Sequence, residues 1–134
     1  MFKRTPDGVT IPLVDPGGLG NANPITISED GTRLFAAGCY AEVLDLVEID
    51  PVNGGIVNTI IDDHPGCASN AMDFVDGDIW SPRPFENRVV RVDAETGEET
   101  NVTVDWSVPI AVKFNNAGEL HAGSQGTGLS LIHI

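Results

Sequence analysis

NAMDFVDGDIW, residues Asn70 to Trp80, is an asparagine followed by an alternating apolar run, an Asp-Gly turn and a second apolar run. Forty-seven residues earlier the chain carries the same phrase as NPITISEDGTRLF, Asn23 to Phe35. Alternation makes each run a strand with two distinct faces. In the later copy Met72 and Phe74 fall on one face, and Ala71 and Asp73 on the other. The glycine after each acidic turn supplies the positive φ that a tight hairpin requires.

A third turn, NNAG, ends at Gly118, so the turn glycines Gly31, Gly77 and Gly118 are 46 and 41 residues apart. A second landmark follows the first two turns: LVEIDPVNG, Leu46 to Gly54, and VVRVDAETG, Val89 to Gly97. Asp50 and Asp93 lie 43 residues apart, and each is followed four residues later by glycine. FKRTPDG, near the start, is a shortened copy of that landmark, with VTIPLV as the strand after it. One unit is therefore four short strands, which in the second unit are AMDF, DIW, RVVRVD and ETNVTV.

A lone sheet of this size cannot bury both faces, and a tandem period of roughly 40–50 residues with four strands per repeat marks a β-propeller. A sandwich would not repeat its turn chemistry in register. The expected fold is all-β, with about two complete four-stranded blades and a partial blade at each end. Residues 1–18 would end one blade, 19–66 and 67–107 form two more, and 108–128 start a fourth. Propellers close with about four to eight blades, so the chain is expected to be a fragment that cannot close alone. LSLIHI, Leu129 to Ile134, abandons the repeat and matches the translation of a transposase sequencing adapter; His133 then carries no functional weight.

At 134 residues and 41% apolar content the chain suits one compact domain, and no apolar run nears the ~20 residues of a membrane helix. Fifteen glycines and nine prolines fit a turn-rich β chain. A net charge of −13 excludes nucleic acid as a partner, because phosphates demand a basic surface. It suits solubility and is compatible with cation binding. Cys39 and Cys67 either pair or remain free thiols, and two cysteines alone make no structural zinc site. The first ten residues lack the apolar region of a secretory leader, which means little if the N-terminus is not the native one; the compartment stays open, with the cytoplasm set before export.

The phrases NPITISEDGTRLFAAG, NAMDFVDGDIW, VVRVDAETG and VPIAVKFNNAGELH resemble the regucalcin/gluconolactonase family, which includes the luciferin-regenerating enzyme. The resemblance covers about 110 residues, Leu19 to Gly128. It implies a six-bladed propeller with a divalent metal, calcium or zinc, at the top of the channel, and hydrolysis of sugar lactones or related esters. Asn23 and Asn70 match positions at which family members open innermost strands with metal ligands. Asn70 stands where the family has a carboxylate, Ile110 takes the equivalent place in the third unit, and the blade that supplies a glutamate ligand is missing. NHL-type and streptogramin-lyase-like propellers share much of the same grammar, and a non-catalytic binding propeller is the further alternative.

Strand direction alternates within a blade, so the loops leading into innermost strands share one rim with the loops joining second to third strands. That rim is expected to gather Cys39, Tyr40, Glu42, Asp62, Asp63, His64, Cys67, Arg83, Glu86, Asp105 and Trp106. Asp62, Asp63 and His64 are the candidate base or ligand group, set against a solvated acidic turn. Arg83, between two prolines in SPRPF, is the candidate for binding substrate, set against an ordinary surface arginine. Trp80 and Phe85 are expected to pack between blades, and His121 to be a packing histidine. The 134-residue chain by itself is expected to be inactive, because half of its channel is absent.

Overall fold

A computed structural model describes residues 2–12, 21–39, 45–63, 71–103, 107–125 and 128–132. Thirteen strands form four antiparallel sheets among these residues. Strands β1 (Phe2–Arg4) and β2 (Thr10–Pro12) make a two-stranded sheet. Strands β3 (Asn21–Ile27), β4 (Leu34–Cys39), β5 (Leu46–Ile49) and β6 (Ile56–Ile61) follow in spatial order 3-4-5-6. The next four, β7 (Asp73–Val75), β8 (Asp78–Arg83), β9 (Arg88–Asp93) and β10 (Glu99–Thr103), repeat that order. Strands β11 (Pro109–Phe114), β12 (Leu120–Ser124) and β13 (Gly128–Ile132) close the series. Two complete blades flanked by partial ones are what the repeat foretold.

The turns explain the regularity. Gly31, Gly77 and Gly118 have φ of 74°, 87° and 77°, a region an L side chain avoids. In the outer hairpins the Gly54 N–H donates to the Asp50 carbonyl at 2.8 Å, and the Gly97 N–H to the Asp93 carbonyl at 2.9 Å. In the β1–β2 hairpin the Gly8 N–H donates to the Thr5 carbonyl at 2.9 Å, one residue closer in sequence. FKRTPDG is thus the same turn shortened by one position. Gly97 also marks a close approach, because a Cβ there would collide with the Ile60 carbonyl oxygen of the neighbouring sheet.

Both faces of the β7–β10 sheet are covered. Met72, Ile79, Val90 and Val92 pack against Phe35, Ala37 and Leu46 of the preceding sheet, and Phe74 joins them. Val89 and Trp80 pack instead with Val112, Leu120, Ala122 and Phe114 of the following one. Burying such side chains away from water stabilises each by roughly 1.5–3 kcal/mol, so neighbouring blades hold one another folded. Phe35 stacks on Phe74 with centroids 5.3 Å apart, and Trp80 meets Phe114 edge-on at 4.9 Å. The opposite face of the β3–β6 sheet has its own cluster, Ala36, Val47 and Ile49 with Leu34.

Polar groups fasten the same seams. Asp73, 4% exposed, accepts from Lys113 Nζ at 2.5 Å and from the Phe114 N–H at 2.8 Å. Arg33 donates from Nε to Glu48 at 2.8 Å, bonds Glu95 of the next blade, and lies 5.1 Å from the centre of the Phe35 ring. The Glu48 hydrogen bonds, followed by the Glu95 contact, raise the Arg33 pKa despite partial burial.

Two expectations change. SPRPFEN is not an open loop: β8 continues through Arg83, and Pro84–Glu86 form a short 3-10 turn. Phe85 is 74% exposed on that turn and packs no seam, whereas Trp80 does.

Candidate functional site at the channel rim

The two rims can be told apart by their cross-links. At one, the Asp76 N–H donates to Glu29 Oε1 at 3.0 Å, joining the first hairpin turns of successive blades. At the other, the Asp63 N–H donates to Asp45 Oδ1 at 3.1 Å, and the Val108 N–H to Asn87 Oδ1 at 3.0 Å. Each of the latter bonds joins a loop entering an innermost strand to a loop leaving a second strand. The topological sorting of loops made from sequence is therefore physical.

On that second rim Asn23 is exposed on β3, at a bulge that interrupts the β3–β4 register between Ala22 and Ile25. Asn70 lies outside the described residues, but Ala71 directly after it is placed. Ala71 forms a parallel bridge with Ala111: its N–H donates to the Ile110 carbonyl at 3.3 Å, and its carbonyl accepts from Val112 at 3.1 Å. The bridge runs alongside Ile110, the residue that the repeat equates with position 70. Ile110 is half-buried and offers no ligand atom.

Asp62 and Asp63 are exposed at the end of β6, Asp63 with a φ of 56°. His64, Tyr40, Glu42, Cys67, Asp105 and Trp106 lie outside the described residues. Arg83 is 2% exposed and bound to Glu99 and, at 3.5 Å, to Glu86. Burial pushes its pKa down against the pull of Glu86, and its Nε has no hydrogen-bond partner among the described residues. Glu86 also takes Arg88 at 2.6 Å. Burial raises the Glu86 pKa, but Arg88 and Arg83 outweigh it and leave the carboxyl below its usual range. The guanidinium that the sequence presents to a substrate is thus committed to carboxylates.

Calcium wants about six to eight oxygen ligands, and Asn23 offers one neutral oxygen. No group of three or more His, Cys, Asp or Glu side chains able to hold a metal occurs among the described residues. As placed, these residues do not assemble a metal shell. Along the inner strands runs an open groove of about 390 Å³, lined by Ile25, Thr26, Ile27, Leu34, Met72 and Lys113. Its volume falls within the span of small-molecule sites, roughly 300–1,000 Å³. Sequence reasoning did not find Lys113 or Asp73, which meet across 40 positions of chain; the one available signal was a carboxylate at an inward alternation site.

Stacked four-stranded sheets with their first strands side by side define this chain as β-propeller structure. A gluconolactonase from Xanthomonas campestris shares the fold with a TM-score of 0.73 at 16% identity, over 98% of this chain and 44% of its own. Hydrazine synthase from Kuenenia stuttgartiensis matches with a TM-score of 0.60 at 17% identity, over 87% of this chain and 31% of its own. The luciferin-regenerating enzyme matches at 0.59 and 19% identity, over 81% of this chain and 40% of its own. This chain therefore spans less than half the length of each. No family model and no curated protein matches it. At such identities the likeness is one of fold, and neighbours as different as a gluconolactonase and a hydrazine synthase illustrate that fold does not fix chemistry.

Proposed function

We propose that the chain forms part of a gluconolactonase-type propeller whose channel rim binds a small, oxygen-rich molecule of the sugar-lactone class. One observation carries this reading: the Ala71–Ala111 bridge aligns the heads of neighbouring inner strands on the rim where Asn23 is exposed. Support at the level of fold comes from the gluconolactonase similarity over nearly the whole chain. Asn23 and Asn70 are the proposed amide donors to a calcium or zinc ion. Two amide oxygens fall short of a full shell, so an ion held there would need further oxygen ligands from elsewhere in the propeller; it would then supply Lewis acidity to a lactone carbonyl and to water. Asp62 and Asp63, exposed on the same rim, are the carboxylates available to accept a proton there.

A second reading, a propeller that binds a ligand without turning it over, is favoured by two observations. An amide stands at position 70 where a carboxylate would hold metal more tightly, and Arg83 is occupied by Glu99 and Glu86. Calorimetric titration of calcium and zinc into the full-length parent protein, beside the same protein carrying Asn23→Ala, separates the cases, with hydrolysis of gluconolactone followed in parallel. Metal affinity that is unchanged in the variant removes the proposed metal site. Metal binding lost with Asn23, but without lactone hydrolysis in the parent, selects the binding-only reading.

A further inference from the structure

The outer hairpin turns of the two complete blades are built alike. Asp50 and Asp93 open them, and Oδ1 of each accepts backbone N–H groups of its own turn: Val52 at 2.7 Å on Asp50, Glu95 at 2.9 Å and Thr96 at 2.7 Å on Asp93. Further along each turn a side-chain oxygen accepts the N–H two positions on. Thr96 Oγ1 takes Glu98 at 3.2 Å, and Asn53 Oδ1 takes Gly55 at 2.7 Å. The residue after it is a glycine in both, Gly54 with φ of 78° and Gly97 with φ of 72°. A hydroxyl and an amide therefore fill the same structural place, but only the amide, ahead of glycine, is open to chemical change.

Asn53–Gly54 is the one Asn-Gly pair in the sequence, and Asn53 is exposed to water. Glycine, having no Cβ, leaves its nitrogen unobstructed toward the preceding side chain. Once its proton passes to a solvent base, the Gly54 nitrogen can attack Asn53 Cγ. The N–Cγ bond forms, the Cγ–Nδ2 bond breaks, and ammonia leaves with a proton returned from water. Water then opens the cyclic imide at either carbonyl, leaving aspartate or isoaspartate. The balance is one water consumed and one ammonia released, with nothing oxidised or reduced.

The folded turn holds the reacting atoms in other bonds. The Gly54 N–H donates to the Asp50 carbonyl at 2.8 Å, and Asn53 Nδ2 donates to Asp50 Oδ2 at 2.6 Å. Attack requires the first bond to break and the amide to swing away from Asp50 and Gly55. Local openings of this kind have free energies of their own, below that of global unfolding.

We propose that Asn53 is a deamidation site whose rate is set by opening of the β5–β6 turn, with Asp50 restraining both nucleophile and amide. Conversion is one-way. A carboxylate at position 53 faces Asp50 where an amide had donated, and the like charges repel. Isoaspartate also adds a methylene to the main chain between Asp50 and its Gly54 donor. The Pro51 carbonyl of the same turn accepts from Lys3 Nζ at 3.3 Å, so the modified turn loosens its contact with β1 as well. This inference is independent of the lactonase reading, because no ligand enters it.

Peptide mapping by mass spectrometry, on the full-length parent protein kept in mildly alkaline buffer, measures amide-to-acid conversion at Asn53. Conversion in the folded protein is expected at a rate at least about tenfold below that in the guanidinium-unfolded protein. Asp50→Ala removes the side-chain acceptor of Val52 and Asn53 and should raise the folded rate about tenfold. Asp93→Ala, which removes the corresponding acceptor of the next turn, should leave it unchanged. Asp50→Asn keeps an acceptor for Val52 and should give a smaller rise, which carries the test if the alanine variant unfolds. Asn53→Thr, copying the Thr96 turn, should retain the parent's circular dichroism and show no conversion in this turn. Equal rates in folded and unfolded protein overturn the proposal. So does a folded rate that the Asp50 and Asp93 variants change alike, or one that neither Asp50 variant changes.

Discussion

Replacing Phe35 by alanine tests the face-to-face packing directly. Phe35 has no exposed surface, stacks on Phe74 and carries Arg33 over its ring. Deleting a buried phenylalanine costs about 3–5 kcal/mol from lost transfer energy and the cavity left behind. A stacked ring pair contributes about 0.5–1.5 kcal/mol of such a loss, which a Phe35/Phe74 double-mutant cycle isolates. Domains are stable by only about 5–15 kcal/mol, so Phe35→Ala should remove roughly a fifth or more of the total. Urea denaturation followed by tryptophan fluorescence reads the loss, with Trp80 reporting from the adjoining seam. Phe85→Ser provides the contrast: at 74% exposure it should change stability by less than about 0.5 kcal/mol. A loss below about 1 kcal/mol at Phe35, or no coupling to Phe74, would show that the two sheets do not pack as described.

Two further outcomes are expected. Asp73→Ala leaves the Phe114 N–H and the Lys113 ammonium without their buried acceptor, and should destabilise by about 1–3 kcal/mol; denaturation at neutral pH measures it, and Asp73→Asn should recover part of the loss. Acid should also weaken the fold: hydrogen bonds from Ser28 and then Thr32 lower the Asp30 pKa from 3.8 to about 2, and Arg33 lowers that of Glu48. A depressed carboxylate pKa contributes stability above the unfolded value and loses it as pH falls through the folded one. Melting temperature should therefore decline between pH 4 and about 2, and Asp30→Asn should flatten the lower part of that decline.

The fold was legible because the residues that specify it act locally. Gly31, Gly77 and Gly118 write the hairpins into the sequence, and alternation correctly separated Met72 and Phe74 from Asp73. Arg83 was not legible in the same way. Its two flanking prolines suggest a loop, yet Pro82 sits within β8 opposite Val89, and the carboxylates that neutralise the guanidinium come partly from Glu99, in another strand. Long-range ion pairing leaves no periodic trace. Phe85 misled for the converse reason: its apolar character says nothing of a 3-10 turn that holds it outward. The rim was legible as a set of loops, because strand direction alone assigns them to one end. The groups each loop presents to a ligand depend on side-chain partners that spacing does not encode.

The bridge between Ala71 and Ala111 is made by main chain alone, between two residues whose side chains are single methyl groups. At this inner seam, then, the two blades are spaced by amide geometry instead of by interdigitating bulk. Their separation there is insensitive to which side chains decorate the lip above it. Residues on that lip can be re-lettered to suit a different guest while the seam keeps its spacing.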